Sequence, residues 1–222
     1  MSVRALVFAF GLLFALTAIA SASPIPVANF SFETLPAGGL PFGCGGTGCA
    51  FSEAAIPGWT NPGFSGQFQP GSNTQYFNFI PDGITVAYSN DAPITQSVGT
   101  VAANTTYTLL VDIGLRKDEP SSAATAQLLI GGTPVNATGV APSPGNWSTF
   151  TAIYKSVAAD VGKTLTIELT TVTAQGDFDN VRLDASPTTA VPEPSTLALL
   201  GAGIALVLGF HRKAVGSKLA RQ

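Results

Sequence analysis

Thr106-Tyr107-Thr108-Leu109-Leu110-Val111-Asp112-Ile113 decides the fold class of this chain. Tyr107, Leu109, Val111 and Ile113 recur at every second position, while Thr106, Thr108 and Asp112 occupy the positions between. A period of two with aromatic and β-branched residues is the pattern of a strand with one buried face. Two more stretches repeat it. Leu165, Ile167 and Leu169 alternate with Thr164, Thr166, Glu168 and Thr170, and Phe150, Ala152 and Tyr154 alternate with Thr149, Thr151 and Lys155. Further strands are expected at 76–79, 83–88, 93–98, 123–130 and 177–184. Turn formers such as Pro81-Asp82-Gly83, Gly131-Gly132 and Pro144-Gly145-Asn146 separate them. No stretch between the chain ends holds a 3.6-residue apolar period, and no internal repeat is visible. The reading is all-β: a single antiparallel β-sandwich over residues 23–185.

The two ends are different. Arg4 precedes a nearly unbroken apolar stretch from Ala5 to Ala20, and Ala20-Ser21-Ala22 supplies small residues at the −3 and −1 positions of a cleavage site. Residues 1–22 therefore read as a signal peptide of the Sec route. Residues 186–190 form a short polar linker. Then come Pro192-Glu193-Pro194, an apolar run from Leu197 to Phe210, and a basic cluster of His211, Arg212, Lys213, Lys218 and Arg221. The prolines bar a helix interior and mark a sharp helix start, and the basic cluster marks the cytoplasmic side. The 14 apolar residues are fewer than the about 20 of a full span, which suits a short transmembrane helix at 197–210 that is processed.

This order of parts over 191–222 resembles the PEP-CTERM sorting signal, also labelled ice-binding protein C-terminal domain. The resemblance implies an exported protein of an exopolysaccharide-producing bacterium. The tail would be held in the inner membrane by its helix and processed by an exosortase-type protease, leaving the protein at the cell surface or outside the cell. An ordinary C-terminal anchor is the plain alternative. The ice-binding label finds no support, since Thr164-Leu165-Thr166 and Thr106-Tyr107-Thr108 are too sparse for a flat Thr-x-Thr array.

Between the signals the charge is one-sided. Residues 23–190 hold five Lys/Arg against twelve Asp/Glu, a net charge of −7. So acidic a domain, without a basic patch, excludes nucleic acid as a partner and suits neutral glycans or divalent cations. Cys44 and Cys49 bracket a glycine-rich octapeptide from Phe42 to Cys49. In an exported chain they are expected to form a local disulfide.

Asn29-Phe30-Ser31-Phe32-Glu33, read as a strand opener, is followed by Ile56-Pro57-Gly58-Trp59, Ile94-Thr95-Gln96-Ser97-Val98, Thr106-Tyr107-Thr108-Leu109 and Phe178-Asp179-Asn180-Val181-Arg182-Leu183. In this order they resemble the galactose-binding-domain-like jelly rolls of carbohydrate-binding modules. The resemblance implies eight to ten strands, often a structural calcium and often a glycan-binding face. Strict alternation would place Asp179 with Val181 and Leu183 toward the core. A buried carboxylate must be answered by backbone N–H groups or by a cation. The resemblance pairs Asp179 with Glu33 as calcium ligands, and a hydrogen-bonded Asp in a strand-end turn is the alternative.

Enzymatic chemistry finds little footing. The chain's single histidine, His211, lies in the tail, which removes Ser-His-Asp and Cys-His machinery from the domain. Glu53, Asp112, Asp118, Glu119, Glu168 and Asp177 are available for glycoside hydrolysis, but their spacing singles out no acid and base. Trp59 and one of Phe77 and Phe79 are expected in the core, and Tyr76 and Trp147 as exposed stacking platforms for a sugar. The sequence thus reads as a non-enzymatic surface or matrix protein associating with exopolysaccharide. A purely structural coat or biofilm protein is the alternative, and a glycoside hydrolase the third reading.

Overall fold

The computed structural model describes residues 21–71, 75–119, 123–172, 175–188 and 201–204. The chain divides into two compact units, Ser21–Thr188 and a second made of the chain ends. Of the second, only residues 201–204 are described, and they are helical. The signal-peptide reading and most of the 197–210 helix lie outside the described residues. Among those described, no helix is long and apolar enough to cross a membrane.

The Ser21–Thr188 unit is almost entirely β. Its strands are β1 (Ser23–Ile25), β2 (Phe42–Gly43), β3 (Ala50–Ser52), β4 (Ser65–Gln69), β5 (Val86–Ser89) and β6 (Ile94–Thr100), then β7 (Thr105–Gly114), β8 (Thr125–Ile130), β9 (Thr133–Asn136), β10 (Trp147–Lys155), β11 (Thr164–Thr170) and β12 (Gly176–Pro187). The larger sheet runs β10-β7-β12-β5-β4-β3-β2, with β1 also on β12; the smaller runs β6-β11-β8-β9. Every named pairing is antiparallel. This is the expected all-β antiparallel sandwich, with more and shorter strands than the resemblance implied.

The alternation read from the sequence is what joins the sheets. Tyr107, Leu109, Val111 and Ile113 of β7 meet Leu165, Ile167 and Leu169 of β11 and Ala126, Leu128 and Ile130 of β8 in one buried cluster. Phe178, Val181 and Leu183 of β12 join them, and Phe32, Ile56 and Trp59 close one end from loops. Burying a side chain of this size contributes about 1.5–3 kcal/mol.

Three local expectations are corrected. Residues 76–79 are not a strand but an irregular segment, held by N–H donation from Asn78 to the Gly145 carbonyl (2.8 Å) and from Lys117 to the Tyr76 carbonyl (2.9 Å). The Asn29–Glu33 stretch is a turn rather than a strand opener, because Asn29 and Phe32 take left-handed φ values of 48° and 60°. In β12 the register shifts between Asp179 and Arg182, where Asn180 has φ 50°. The bulge inverts the alternation: Phe178, Val181 and Leu183 face the core, and Asp177 and Asp179 face the opposite side of the sheet. Asp179 therefore does not point at the core with Val181 and Leu183.

Candidate functional site

Residues paired across antiparallel strands point to the same side, so the register lists the outer face of the larger sheet. Tyr88 of β5 pairs with Asp177 and with Gly66 of β4. Asp177 also pairs with Gly114 of β7, and Gly114 with Trp147 of β10. A β-carbon at Gly114 would come within 2.9 Å of the Phe77 and Trp147 rings, so glycine here lets two aromatics lie on the sheet. On this face sits a second apolar cluster of Cys49, Phe68, Tyr76, Phe77, Val86 and Tyr88, with Cys44, Phe51, Ile80 and Trp147 at its margin.

Two loops cover part of that cluster. The Cys44–Cys49 disulfide, expected from the sequence, is formed, with Cα atoms 5.3 Å apart. The Tyr76 hydroxyl donates to the Cys44 carbonyl at 2.6 Å, and the Trp147 indole N–H donates to the Phe79 carbonyl at 2.9 Å. Between the loops and the sheet opens a cavity of about 260 Å³ lined by Cys44, Phe51, Glu53, Phe68, Tyr88, Asn90, Arg116 and Gln175. Its apolar walls are rings: Phe51 and Tyr88 lie edge to face at 6.3 Å, and Phe68 meets Tyr76 at 5.4 Å.

A fixed polar chain runs along one side. Arg116 binds Asp118 through Nε (2.9 Å) and Nη2 (2.6 Å), and its Nη1 donates to Gln175 Oε1 at 2.8 Å. Because the guanidinium needs an acceptor, the Gln175 amide turns its NH₂ to Asp177 Oδ1, 2.9 Å away. The other Asp177 oxygen, Oδ2, is buried without a partner. Burial pushes the Asp177 carboxyl up to about 7, against the pull of Gln175 and Arg116. Tyr88 rises to about 12, by burial first and then by the Glu53 carboxylate. Arg116, through its hydrogen bond, holds the Asp118 carboxyl below the usual range.

Beyond this cavity the same face carries the turn read as a calcium site. Asp179 Oδ2 accepts from the Asp82 N–H (2.9 Å) and Oδ1 from the Asn180 N–H (2.7 Å). Glu33 Oε1 accepts from the N–H groups of Ile84 (2.9 Å) and Thr85 (2.7 Å). The two carboxylates thus flank one turn, with Gly83 packed against Glu33. Both have backbone donors, the metal-free answer to burial. Burial nevertheless pushes Asp179 up to about 8. The two carboxylates offer oxygen donors of the kind calcium takes, two of the roughly six to eight it needs. Among the described residues no group of three or more His, Cys, Asp or Glu is placed to hold a metal.

Residues 23–184 match the family model described as HpiC1 cyclase. The chain belongs to the HpiC1-like family. Residues 190–213 match the PEP-CTERM protein-sorting motif, as the tail had suggested, so the chain carries an export and sorting signal. No curated protein matches the sequence. The apo form of a cyclase from Fischerella sp. is similar in structure at 25% identity and TM-score 0.63, covering 76% of this chain and 98% of that one. The CBM22-1 xylan-binding domain of Paenibacillus barcinonensis Xyn10C is similar at 13% identity and TM-score 0.47, covering 78% and 100%.

The HpiC1-like domain places the expected site residues unevenly. Tyr76 is no exposed platform: it is 5% exposed and forms the underside of the cover. Trp147 is half-buried, stacked on Phe77 at 4.7 Å. Trp59 and Phe77 are buried as expected, while Phe79 is exposed. The cavity instead gathers Phe51, Phe68, Tyr88, Arg116 and Gln175, none singled out from the sequence. Only the i, i+2 spacing of Gln175 and Asp177, and a cation just beyond the end of the strongest strand, could have signalled the polar chain.

Proposed function

We propose that this is an exported surface protein whose HpiC1-like domain binds a glycan of its host's exopolysaccharide, without turning it over. The PEP-CTERM tail would be processed by an exosortase-type protease after holding the chain in the inner membrane. The observation that carries the reading is the cavity: aromatic walls for the C–H faces of a sugar ring, beside Arg116 and Gln175 locked in position and Asn90 and Glu53 on the rim. Its about 260 Å³ lies just below the about 300–1,000 Å³ of drug-sized pockets, a size for a sugar unit or chain end. Calcium belongs to the proposal as a structural ion at the turn, with Glu33 and Asp179 supplying carboxylate oxygens. The test is retention of the protein on the host's purified exopolysaccharide, with calcium and with chelator. Saturable retention that Phe51→Ala removes supports it; no retention in either condition rejects it and leaves a structural coat protein.

A second reading is favoured by Asp177, whose Oδ2 is buried and unpartnered behind Gln175, a residue of the cavity lining that donates to its other oxygen, in a family described by a cyclase. There the carboxyl would lend a proton for ring closure of the bound ligand and recover it. Such a reaction leaves the mass unchanged. It would appear as a new chromatographic peak of the ligand's own mass, absent with Asp177→Asn; no such peak from any bound ligand rejects it.

A further inference from the structure

The rim of the cavity carries one charge without a partner. Glu53 follows β3, lies exposed at the cavity beside Phe51, Phe68 and Tyr88, and makes no hydrogen bond or ion pair among the described residues. Among the described residues the cavity's only lining cation, Arg116, is matched by Asp118. Glu119 adds a further negative charge to this region, and the neighbouring Lys117 side chain runs along Gly145, outside the cavity lining. The net field at the cavity is therefore negative, in keeping with the acidic domain, and an anion placed here would find its one countercharge already engaged.

The walls suit a cation. The chain lays its own guanidinium on this aromatic surface, with the Arg116 Cζ 4.4 Å from the Tyr76 ring centre and 5.7 Å from that of Phe68. Among the described residues no such cation lies on Phe51 or Tyr88, on Glu53's side of the cavity. A small hard ion is a poor fit, since calcium takes six to eight oxygens and the rim's side chains here are Glu53, Asn90 and Gln175. A larger ammonium, held by a ring face and a carboxylate together, matches what is offered.

We propose, resting on the ligand-cavity reading above, that the site selects an ammonium-bearing sugar over a neutral or anionic one. Glu53 is its countercharge, and Phe51 and Tyr88 are its ring faces. The test is calorimetric titration of the purified protein with three short oligosaccharides of equal length, of glucosamine, N-acetylglucosamine and galacturonate, at a pH where the amine is charged. The glucosamine form is expected to bind about tenfold more tightly than the acetylated one. The preference should collapse in Glu53→Gln and shrink in high salt, where rim charges are screened. Equal or tighter binding of the acetylated or galacturonate form overturns the proposal while leaving the ligand-cavity reading standing. Binding of none of the three rejects both.

Discussion

The two faces of the larger sheet are built from the same strands and solve opposite problems. On β12, Phe178, Val181 and Leu183 turn inward to a second sheet that seals them. Asp177 and Asp179, on the same strand, turn outward to a face that only loops cover. The inner face is closed by period-two partners and is apolar along β7 and β12, with the buried Gln67, Ser65 and Ser89 continuing it on β4 and β5. The outer face mixes rings, amides and carboxylates, leaves one carboxylate oxygen unpartnered, and opens into a cavity. The inner face stabilises the domain; the outer one gives up some stability to present chemistry.

The comparison can be broken by substitution on either face. Phe178→Ala should cost about 3–5 kcal/mol in urea unfolding, because it opens a cavity between the sheets. Phe51→Ala on the outer face should cost only about 1 kcal/mol yet abolish retention on the polymer. Equal losses of stability would erase the distinction.

Acidity offers a sharper probe of the outer face. Asp177 titrates near 7 when folded, against an ordinary 3.8, so the unfolded chain releases this proton first. Its contribution to stability is whole below about 3.8, falls as pH rises toward 7, and is level above. The loss amounts to at most about 4 kcal/mol. Urea midpoints at pH 4 and pH 8 should show a slope that Asp177→Asn reduces, with Asp179, pushed up to about 8, supplying the remainder.

Replacing Cys44 and Cys49 by serine should cost about 2 kcal/mol, since the closed loop is short. It should weaken ligand retention more than the melting temperature suggests, because Cys44 lines the cavity. The smallest effect concerns the turn at Glu33 and Asp179. Calcium should raise Tm and chelator lower it in differential scanning calorimetry; an unchanged Tm would leave the carboxylates to the four backbone donors and the Thr85 hydroxyl.

What the sequence made legible follows the same division. The apolar alternation of β7, β10 and β11 predicts the sandwich because both partners of each contact obey a period of two. The local disulfide and the sorting tail are legible because each is written in contiguous residues. The inversion at Asp179 was not, since a bulge with Asn180 in the left-handed region leaves no mark in a hydrophobic pattern. Nor was the cavity, whose residues come from β3, β4, β5 and the segments around Arg116 and Gln175. Tyr76 reads as an exposed ring until the Cys44 carbonyl that receives its hydroxyl is known. Loop cover is set by tertiary contacts, and a single sequence does not show them.

The most direct test of a ligand site on the outer face is chemical-shift mapping by nuclear magnetic resonance. The Ser21–Thr188 unit, which carries its own core, would be titrated with fragments of the host's exopolysaccharide. The account predicts shifts concentrated at Phe51, Glu53, Tyr88, Asn90, Arg116 and Gln175, with the smaller sheet unmoved. Shifts on the smaller sheet, or none at saturating fragment, would contradict it.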